Sequence, residues 1–389
     1  MLCSAAGCGR SEDLSNAIDG GVGRTITESV LGAPQQIAWI NLLTAEAGND
    51  VRVPLPRSIC WLGANVLVAD GATQRVEVFD ADGRYVRGFG REGSGPGEFL
   101  SLGVVRCSEA GGSVLVVDPG SMRVQFFDSA GIYRGTAATP PTPQGVPSLG
   151  EFAVHDDGRW FDSWLGASLG PYLADDEWAG VKIVREWSAS GDRIREFGRP
   201  FTFRDPVLRR VFNKVNFVLH RDTLWTLVQG RAVVRSFELA TGSEESRIFL
   251  PVYHRGEEPW IEVKGNGPGF RHNRAVYQPN VNGLAFVYDS LFATIRYRNW
   301  KTVKIERRKG EGFTDYWPES SVEIFDRKGK VLMEFAVPGR VSAIASDHRN
   351  GIAILSEDLE TGVISPLVAR IPRPESPPTP GAGGAGAGE

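Results

Sequence analysis

The chain has 389 residues, with 43 Lys and Arg against 47 Asp and Glu, and a formal net charge of −4. So small a charge excludes a chain-wide binder of nucleic acid or anionic membranes, and 41% hydrophobic residues exclude a mainly disordered chain. No run of about 18 apolar residues occurs, so no transmembrane helix is expected. The 47 Gly and 24 Pro, with 10% aromatic residues, are typical of many short strands joined by turns.

The first 23 residues predict a disordered N-terminus or the remnant of a lipoprotein signal. Ala5-Ala6-Gly7-Cys8 resembles the small-residue stretch that precedes a lipid-modified cysteine. On that interpretation Cys8 carries the lipid, and the folded part is extracytoplasmic: periplasmic or anchored to a membrane through the lipid alone. Without a signal the chain is cytoplasmic, and both alternatives stay open.

One short pattern recurs between residues 24 and 372, which we take as a single folded domain. It consists of Val-x-x-aromatic, a polar turn and Gly. The copies are VEVFDADG (Val76 to Gly83), VQFFDSAG (Val124 to Gly131), VREWSASG (Val184 to Gly191), VEIFDRKG (Val322 to Gly329) and the degenerate VRSFELATG (Val234 to Gly242). Alternating apolar residues predict a half-buried strand, and Asp-x-x-Gly predicts a tight turn, so each copy begins a β-hairpin.

A second kind of hairpin precedes each copy, and a sixth such hairpin spans residues 341–358. Four antiparallel strands per unit make a propeller blade, so the sequence predicts an all-β, six-bladed β-propeller. The predicted blades are residues 57–90, 99–138, 148–198, 211–251, 278–338 and 339–371. The last blade has only three strands of its own. We expect an N-terminal strand within residues 37–54 to complete it, because closure removes the free sheet edges.

The first two blades carry a family resemblance. Residues 67–106 resemble an NHL repeat, and the second copy matches at Asp118, Arg123, Val124 and Asp128. The matching residues of the first copy are Asp70, Arg75, Val76, Phe79, Asp80, Gly83, Phe89, Gly90 and the run Gly95-Pro96-Gly97-Glu98-Phe99. The chain is thus similar to the six-bladed NHL/TolB-like propellers, many of them bacterial envelope proteins, which implies a fold and not an activity.

For two groups of residues that could have a chemical function, the sequence predicts a structural role instead. Cys60 and Cys107 occupy interior strand positions, where free cysteines act as small hydrophobic side chains. The pairs Asp70–Arg75 and Asp118–Arg123 are interpreted as closing the loops between them by hydrogen bonds and charge.

The sequence predicts no catalytic residue, no metal ligand and no cofactor. The sequence has no Gly-x-Ser-x-Gly and no His-Glu-x-x-His. His155, His220 and His348 lie near the turns between first and second strands, which places them on one rim near the axis. Three such histidines can bind zinc, but turn residues usually face solvent, and no spacing rule supports a site.

Long insertions point to a binding face. They fall at residues 165–180, 200–210, 252–278 and 299–319, all in blades 3 to 5, and the strand order brings them to one rim. Loops on a rigid scaffold are where binding usually occurs, and exposed aromatic residues beside Arg are typical interface anchors. Alternatively, the loops bury these aromatics among themselves. The predicted ligand-binding residues are Tyr172, Trp178, His254, Trp260, Arg271, His272, Trp300, Tyr316 and Trp317.

These observations favour a non-enzymatic binding propeller for a glycan, a peptide or a protein partner. The alternative is an envelope lyase or hydrolase at the propeller axis, with or without a metal; convergent His and carboxylate side chains in the channel would favour it. A third hypothesis is an RNA-binding NHL propeller. Residues 254–311 are locally basic, but the patch is small and the rest of the chain acidic, so nucleic acid is not expected as a partner. Residues 373–389, rich in Pro, Gly and Ala, are predicted to be a disordered tail.

Overall fold

The strands of this chain form a six-bladed β-propeller with four antiparallel strands per blade. The structure is a computed structural model. It describes residues 25–26, 34–44, 53–141, 150–165, 178–201, 213–229, 232–250, 252–253, 260–263, 273–276, 281–298, 301–307, 310–316 and 319–374. Residues 1–23 with Cys8 lie outside the described part, as does the predicted tail, residues 373–389, except for its first two residues.

The strands are numbered in chain order. Two short ones, β1 (Thr25–Ile26) and β2 (Ile40–Asn41), precede the blades. Blade 1 contains β3 (Pro56–Leu62), β4 (Asn65–Asp70), β5 (Arg75–Asp80) and β6 (Tyr85–Phe89). Blade 2 contains β7 (Val104–Cys107), β8 (Ser113–Asp118), β9 (Arg123–Asp128) and β10 (Tyr133–Ala138), with a 3-10 turn at Pro119–Ser121. Blade 3 contains β11 (Glu151–Val154), β12 (Trp160–Ser163), β13 (Val184–Trp187) and β14 (Arg193–Phe197).

Inserted strands occur in the link between blades 4 and 5 and within blade 5. Blade 4 contains β15 (Val215–His220), β16 (Thr223–Val228), β17 (Val233–Glu238) and β18 (Glu244–Phe249). The link to blade 5 contains β19 (Val252–Tyr253), which pairs with β1, and a hairpin of β20 (Trp260–Val263) and β21 (Asn273–Val276). Blade 5 contains β22 (Val281–Val287), β23 (Leu291–Arg298), β26 (Glu319–Phe325) and β27 (Val331–Ala336), and its inserted hairpin is β24 (Lys301–Arg307) with β25 (Gly310–Tyr316). Blade 6 contains β28 (Arg340–Ser346), β29 (Gly351–Glu357) and β30 (Ile364–Arg370).

The N-terminal strand closes the ring. Ile40 and Asn41 of β2 pair antiparallel with Val368 and Leu367 of β30, which gives blade 6 its fourth strand. Strand β2 lies within residues 37–54, where the sequence predicted the closing strand. The segment before it also crosses the outer edge of blade 5, where Gln35 pairs with Phe335. The two ends of the chain are thereby tied together, as closure of a propeller requires.

The core lies between blades, and the first strands surround the axis. Strands β3, β7, β11, β15, β22 and β28 each contact the first strands of both neighbouring blades. Apolar side chains from adjacent sheets pack together, as Ile59 and Val66 of blade 1 do with Leu355 and Val368 of blade 6. Burial of such side chains is the main favourable contribution to folding.

The recurring turns form as their sequences predict. In blade 1 the Asp80 carboxylate accepts the backbone N–H groups of Asp82 and Arg84, and Gly83 adopts a left-handed φ of 87°. Blade 3 has Ser188 in place of this aspartate. Its Oγ accepts the N–H of Asp192 at 3.1 Å, so the hydroxyl replaces the carboxylate without loss of the turn.

One expectation about cysteine is wrong. Cys60 and Cys107 form a disulfide across 47 residues of sequence, with Cα atoms 5.8 Å apart. They occupy the first strands of blades 1 and 2, which are neighbours around the axis. The expectation failed because the two cysteines are far apart along the chain, whereas the repeat of the blades brings their positions together.

One of the two Asp–Arg interpretations also needs correction. The Asp70 carboxylate closes its loop by accepting the N–H groups of Leu55 and Ala72, but Arg75 pairs with Glu77 at 2.8 Å. Arg123 does approach Asp118, at 3.6 Å. Its other guanidinium nitrogens donate to the carbonyls of Ser94, Gly95 and Glu98, which fixes the predicted turn between blades 1 and 2.

Candidate functional site in the axial channel

A channel of about 950 Å³ runs along the propeller axis between the six first strands. Its two ends differ because strand order sends different connections to each rim. The loop rim carries the links between blades and the links between second and third strands. The turn rim carries the short turns between first and second strands. Between the two rims, small side chains such as Ala153, Ala343 and Ala345 line the channel.

Polar side chains surround the loop-rim mouth. Arg106 lies across three blades: its guanidinium donates to Ser58 Oγ at 2.9 Å, to the Phe152 carbonyl at 3.0 Å and to Glu151 Oε1 at 2.7 Å. The guanidinium also donates to the Val105 carbonyl at 2.9 Å, so the cation has a carboxylate partner and three further acceptors. Arg106 and Glu151 thus form the side of the mouth that lies at blades 1 to 3.

A network of amides forms the opposite side of the same mouth. Gln229 Nε2 donates to Asn216 Oδ1 at 2.7 Å and to Asn282 Oδ1 at 2.6 Å. Asn282 Nδ2 donates to the Tyr297 hydroxyl at 2.9 Å, and that hydroxyl donates to the Val341 carbonyl at 2.9 Å. The network joins blades 4, 5 and 6. Such connected networks hold their members in fixed positions.

Lys214 completes the loop-rim mouth. It directly precedes β15, is exposed and lines the channel. Within the described part of the chain, no carboxylate forms an ion pair with its ammonium group. Among the described residues that line this mouth, Arg106 and Lys214 outnumber Glu151, so their charges give a local positive balance.

At the turn rim, three donor atoms converge from alternate blades. His220 Nδ1 lies 2.8 Å from Glu109 Oε1, His348 Nδ1 lies 3.6 Å from the same oxygen, and the two ring nitrogens are 3.3 Å apart. Glu109 comes from the turn of blade 2, His220 from the end of β15 in blade 4, and His348 from the turn of blade 6. The exposed fractions of the side chains are 24%, 5% and 17%, respectively.

The surroundings hold this cluster in place. Glu109 Oε2 accepts the backbone N–H of Arg221, and the His220 ring stacks on Phe286 with centroids 4.5 Å apart. Asp289 donates its N–H to the His348 carbonyl at 2.9 Å, which ties the turn of blade 6 to that of blade 5. Arg221, Asp289 and His348 all have left-handed φ, between 53° and 60°. Non-glycine residues rarely adopt this conformation.

The ionisation of the cluster follows from these contacts. Burial by itself raises the pKa of Glu109, but hydrogen bonds from His220 and from the Arg221 amide, with the charges of the two histidines, outweigh it and lower the pKa to about 2. Burial lowers the pKa of His348, and Glu109 only partly offsets this. At neutral pH the cluster therefore contains a carboxylate and, at His348, a neutral imidazole.

Only two of the three histidines considered from the sequence come together. His155 lies on the turn rim in blade 3, but its Nδ1 contacts Asp157 Oδ1 at 2.9 Å instead of joining the cluster. The candidates predicted from the sequence were histidines and did not include Glu109. The sequence did contain a signal. Glu109 lies two residues after the first strand of blade 2, and His348 lies two residues after the first strand of blade 6.

The predicted loop residues are only partly described. Trp178 is 7% exposed and packs in the core between blades 3 and 4, as in the alternative in which loop aromatics are buried. Trp260 lies in β20 and Tyr316 in β25, with side chains outside the described part. Tyr172, His254, Arg271, His272, Trp300 and Trp317 also lie outside it. For these eight residues whose side chains lie outside the described part, a role in binding stays a prediction.

A comparison of the sequence with known protein families agrees with the propeller fold. A family model described as 6-bladed beta-propeller (DUF5128) matches residues 30–143. No curated protein matches the sequence. Among described residues, no helix has the length and apolar character needed to cross a membrane.

Two solved structures from Bacteroides are similar along most of their length. A candidate exported protein from Bacteroides fragilis has 12% identity and a TM-score of 0.54, with 87% of this chain and 95% of that chain covered. A member of the DUF4221 family from Bacteroides vulgatus has 12% identity and a TM-score of 0.55, with 87% and 96% covered. At such identity the likeness shows the fold alone.

Proposed function

We propose that this chain is a non-enzymatic, extracytoplasmic propeller that binds a glycan at the loop-rim mouth of its channel. The observation that carries the proposal is the polar lining of that mouth, with its amide network and Lys214. Sugar hydroxyls both donate and accept hydrogen bonds, and so do amide side chains. A concave site with a few fixed polar groups is the usual form of a small-molecule site.

The charge at the mouth favours one class of glycan. Lys214 offers an ammonium group with no carboxylate partner among the described residues, so an acidic sugar would supply the missing anion. The insertions of blades 3 to 5, including β20 and the β24–β25 hairpin, leave the propeller on this same rim. In the proposal, Trp260, Trp300 and Trp317 extend the site outward along the glycan.

Several observations support an extracytoplasmic location. The Cys60–Cys107 disulfide suits an oxidising compartment, because thiols are kept reduced in the cytosol. The NHL/TolB-like resemblance of blades 1 and 2 and the exported Bacteroides protein of similar fold point the same way. A lipid anchor at Cys8 remains part of the proposal.

Lys214→Ala is expected to weaken binding of acidic oligosaccharides roughly tenfold or more, because a hydrogen bond to a charged group contributes about 1.5–3 kcal/mol. The measurement screens uronate-containing and neutral oligosaccharides by array and follows with titration calorimetry. Neutral members of the panel should lose less affinity.

Lys328→Ala is the matched control, because Lys328 is exposed on the outer hairpin of blade 5, away from the channel. It should bind like the wild type. Binding of no oligosaccharide in the panel, or equal affinity in Lys214→Ala and the wild type, would contradict the proposal.

A second candidate is a lyase or hydrolase that acts at the axis. The convergence of Glu109, His220 and His348 at the turn rim is the specific observation in its favour. Incubation with the same oligosaccharides distinguishes the two functions: a binding protein returns them intact, whereas a hydrolase creates new reducing ends and a lyase creates unsaturated products.

A further inference from the structure

We propose that Glu109, His220 and His348 bind one divalent transition-metal ion at the turn rim, with zinc as the first choice. The proposal rests on geometry at the opposite mouth from the glycan site and is independent of that site. The three donors are Glu109 Oε1 and the Nδ1 atoms of both histidines. They come from blades 2, 4 and 6, so the near-sixfold arrangement of blades spaces them at about one-third turns around the axis.

The distances among these atoms match those in a metal site. Zinc binds imidazole nitrogen and carboxylate oxygen at about 2.0–2.2 Å, so tetrahedral ligands lie about 3.3–3.5 Å from one another. The observed separations are 2.8, 3.6 and 3.3 Å. The 3.3 and 3.6 Å separations agree with this range, the 2.8 Å separation of the His220–Glu109 pair is shorter and has the length of a hydrogen bond, and each involves the atom that would coordinate the ion.

Protons satisfy this arrangement only in part: a proton on His220 Nδ1 meets Glu109 Oε1 at 2.8 Å, whereas His348 Nδ1 lies 3.6 Å from that oxygen, beyond hydrogen-bond distance. A neutral imidazole places either a proton or a lone pair at Nδ1, and two ring nitrogens 3.3 Å apart need one donor and one acceptor. Both nitrogens also face the same carboxylate oxygen, which can only accept. One ion at the centre would accept a lone pair from all three atoms at once.

The donor set selects the class of metal. Two imidazoles and one carboxylate suit zinc and related first-row ions, whereas calcium and magnesium prefer oxygen ligands throughout. Neighbouring groups also hold two of the three ligand side chains in place. The Arg221 amide holds the second carboxylate oxygen, and Phe286 fixes the plane of the His220 ring. Such outer contacts orient ligands in known metal sites.

The direct test is metal content. The full chain, purified without a polyhistidine tag and stripped with chelator, is dialysed against zinc or cobalt and analysed by mass spectrometry of the metal. We expect one equivalent per chain. The cobalt form should show the visible absorption of a four- or five-coordinate ion, and zinc should raise the Tm because it binds only the folded state.

Variants assign the ligands. Glu109→Ala and His348→Asn should each weaken zinc binding by at least about 100-fold, since loss of even an outer-shell contact costs 10- to 100-fold. Both residues lie in turns, and asparagine tolerates the left-handed backbone at His348, so both variants should fold. Circular dichroism and the metal-free Tm verify this.

His155→Asn is the matched control, because His155 lies on the same rim but contacts Asp157 instead. It should bind zinc like the wild type. The proposal is overturned if the wild type holds no stoichiometric metal, if folded Glu109→Ala and His348→Asn bind zinc as tightly as the wild type, or if His155→Asn loses zinc equally. A failed metal test leaves the oligosaccharide result with Lys214 unaffected.

Discussion

Replacing both Cys60 and Cys107 with serine is expected to lower the free energy of unfolding by about 4 kcal/mol. The disulfide closes a segment of 47 residues, and a cross-link of that span restricts the unfolded chain strongly. It also joins two first strands next to the channel, so the native packing of blades 1 and 2 loses a covalent tie. Denaturant unfolding of the two proteins under oxidising conditions measures the difference.

Reduction provides the control. The wild type with its disulfide reduced should unfold close to the denaturant concentration that unfolds the double-serine variant, because both lack the cross-link and differ only in thiol or hydroxyl at the two positions. If oxidised wild type and variant unfold together, the disulfide either does not form or does not restrict the unfolded chain.

Asp162→Asn is expected to lower the free energy of unfolding by about 3–5 kcal/mol, the usual effect of removing one partner of a buried ion pair. Asp162 is fully buried, and the Arg185 side chain is 8% exposed. The guanidinium of Arg185 binds both carboxylate oxygens, with Nε 2.9 Å from Oδ1, and the Trp187 indole donates to Oδ1 at 2.8 Å. The asparagine variant would leave the buried cation without its anion.

Asp82→Asn is the matched control for this change. The Asp82–Arg84 pair has the same chemistry, but its side chains are 73% and 65% exposed and 3.6 Å apart. Exposed pairs contribute about 0–1 kcal/mol, so this variant should unfold almost like the wild type. Equal effects of the two substitutions on the free energy of unfolding would show that burial does not make the Asp162–Arg185 pair more important for stability than an exposed pair.

The fold was largely predictable because its signals are local and repeated. Alternating strands and Asp-x-x-Gly turns recur in each blade, and each predicted blade overlaps an observed one. The closing strand was also predictable, since blade 6 lacked one strand and a free edge is unfavourable. The inserted hairpin β24–β25 was expected only as a loop, because its sequence follows no blade pattern.

The site was harder to predict because it depends on contacts between blades. Cys60 and Cys107 are distant in sequence and adjacent only around the ring, and the same holds for Glu109 with its two histidines. A sequence shows which residues end the first strands, but the side-chain direction at each turn decides which of them meet. His155 and His348 show the difference: both lie at such turns, and only His348 contacts Glu109.

The central claim is that a glycan binds at the loop-rim mouth of the axial channel, and the most direct test fills the channel beside the amide network of that mouth, where Asn282 donates to the Ser342 carbonyl. Ala343 lines the channel between the two mouths, so Ala343→Trp places an indole there without changing the polar groups. Ala130→Trp, on the exposed outer hairpin of blade 2, is the control. The account predicts that folded Ala343→Trp loses binding of the acidic oligosaccharides that the wild type and Ala130→Trp bind. Unchanged affinity in folded Ala343→Trp would contradict it.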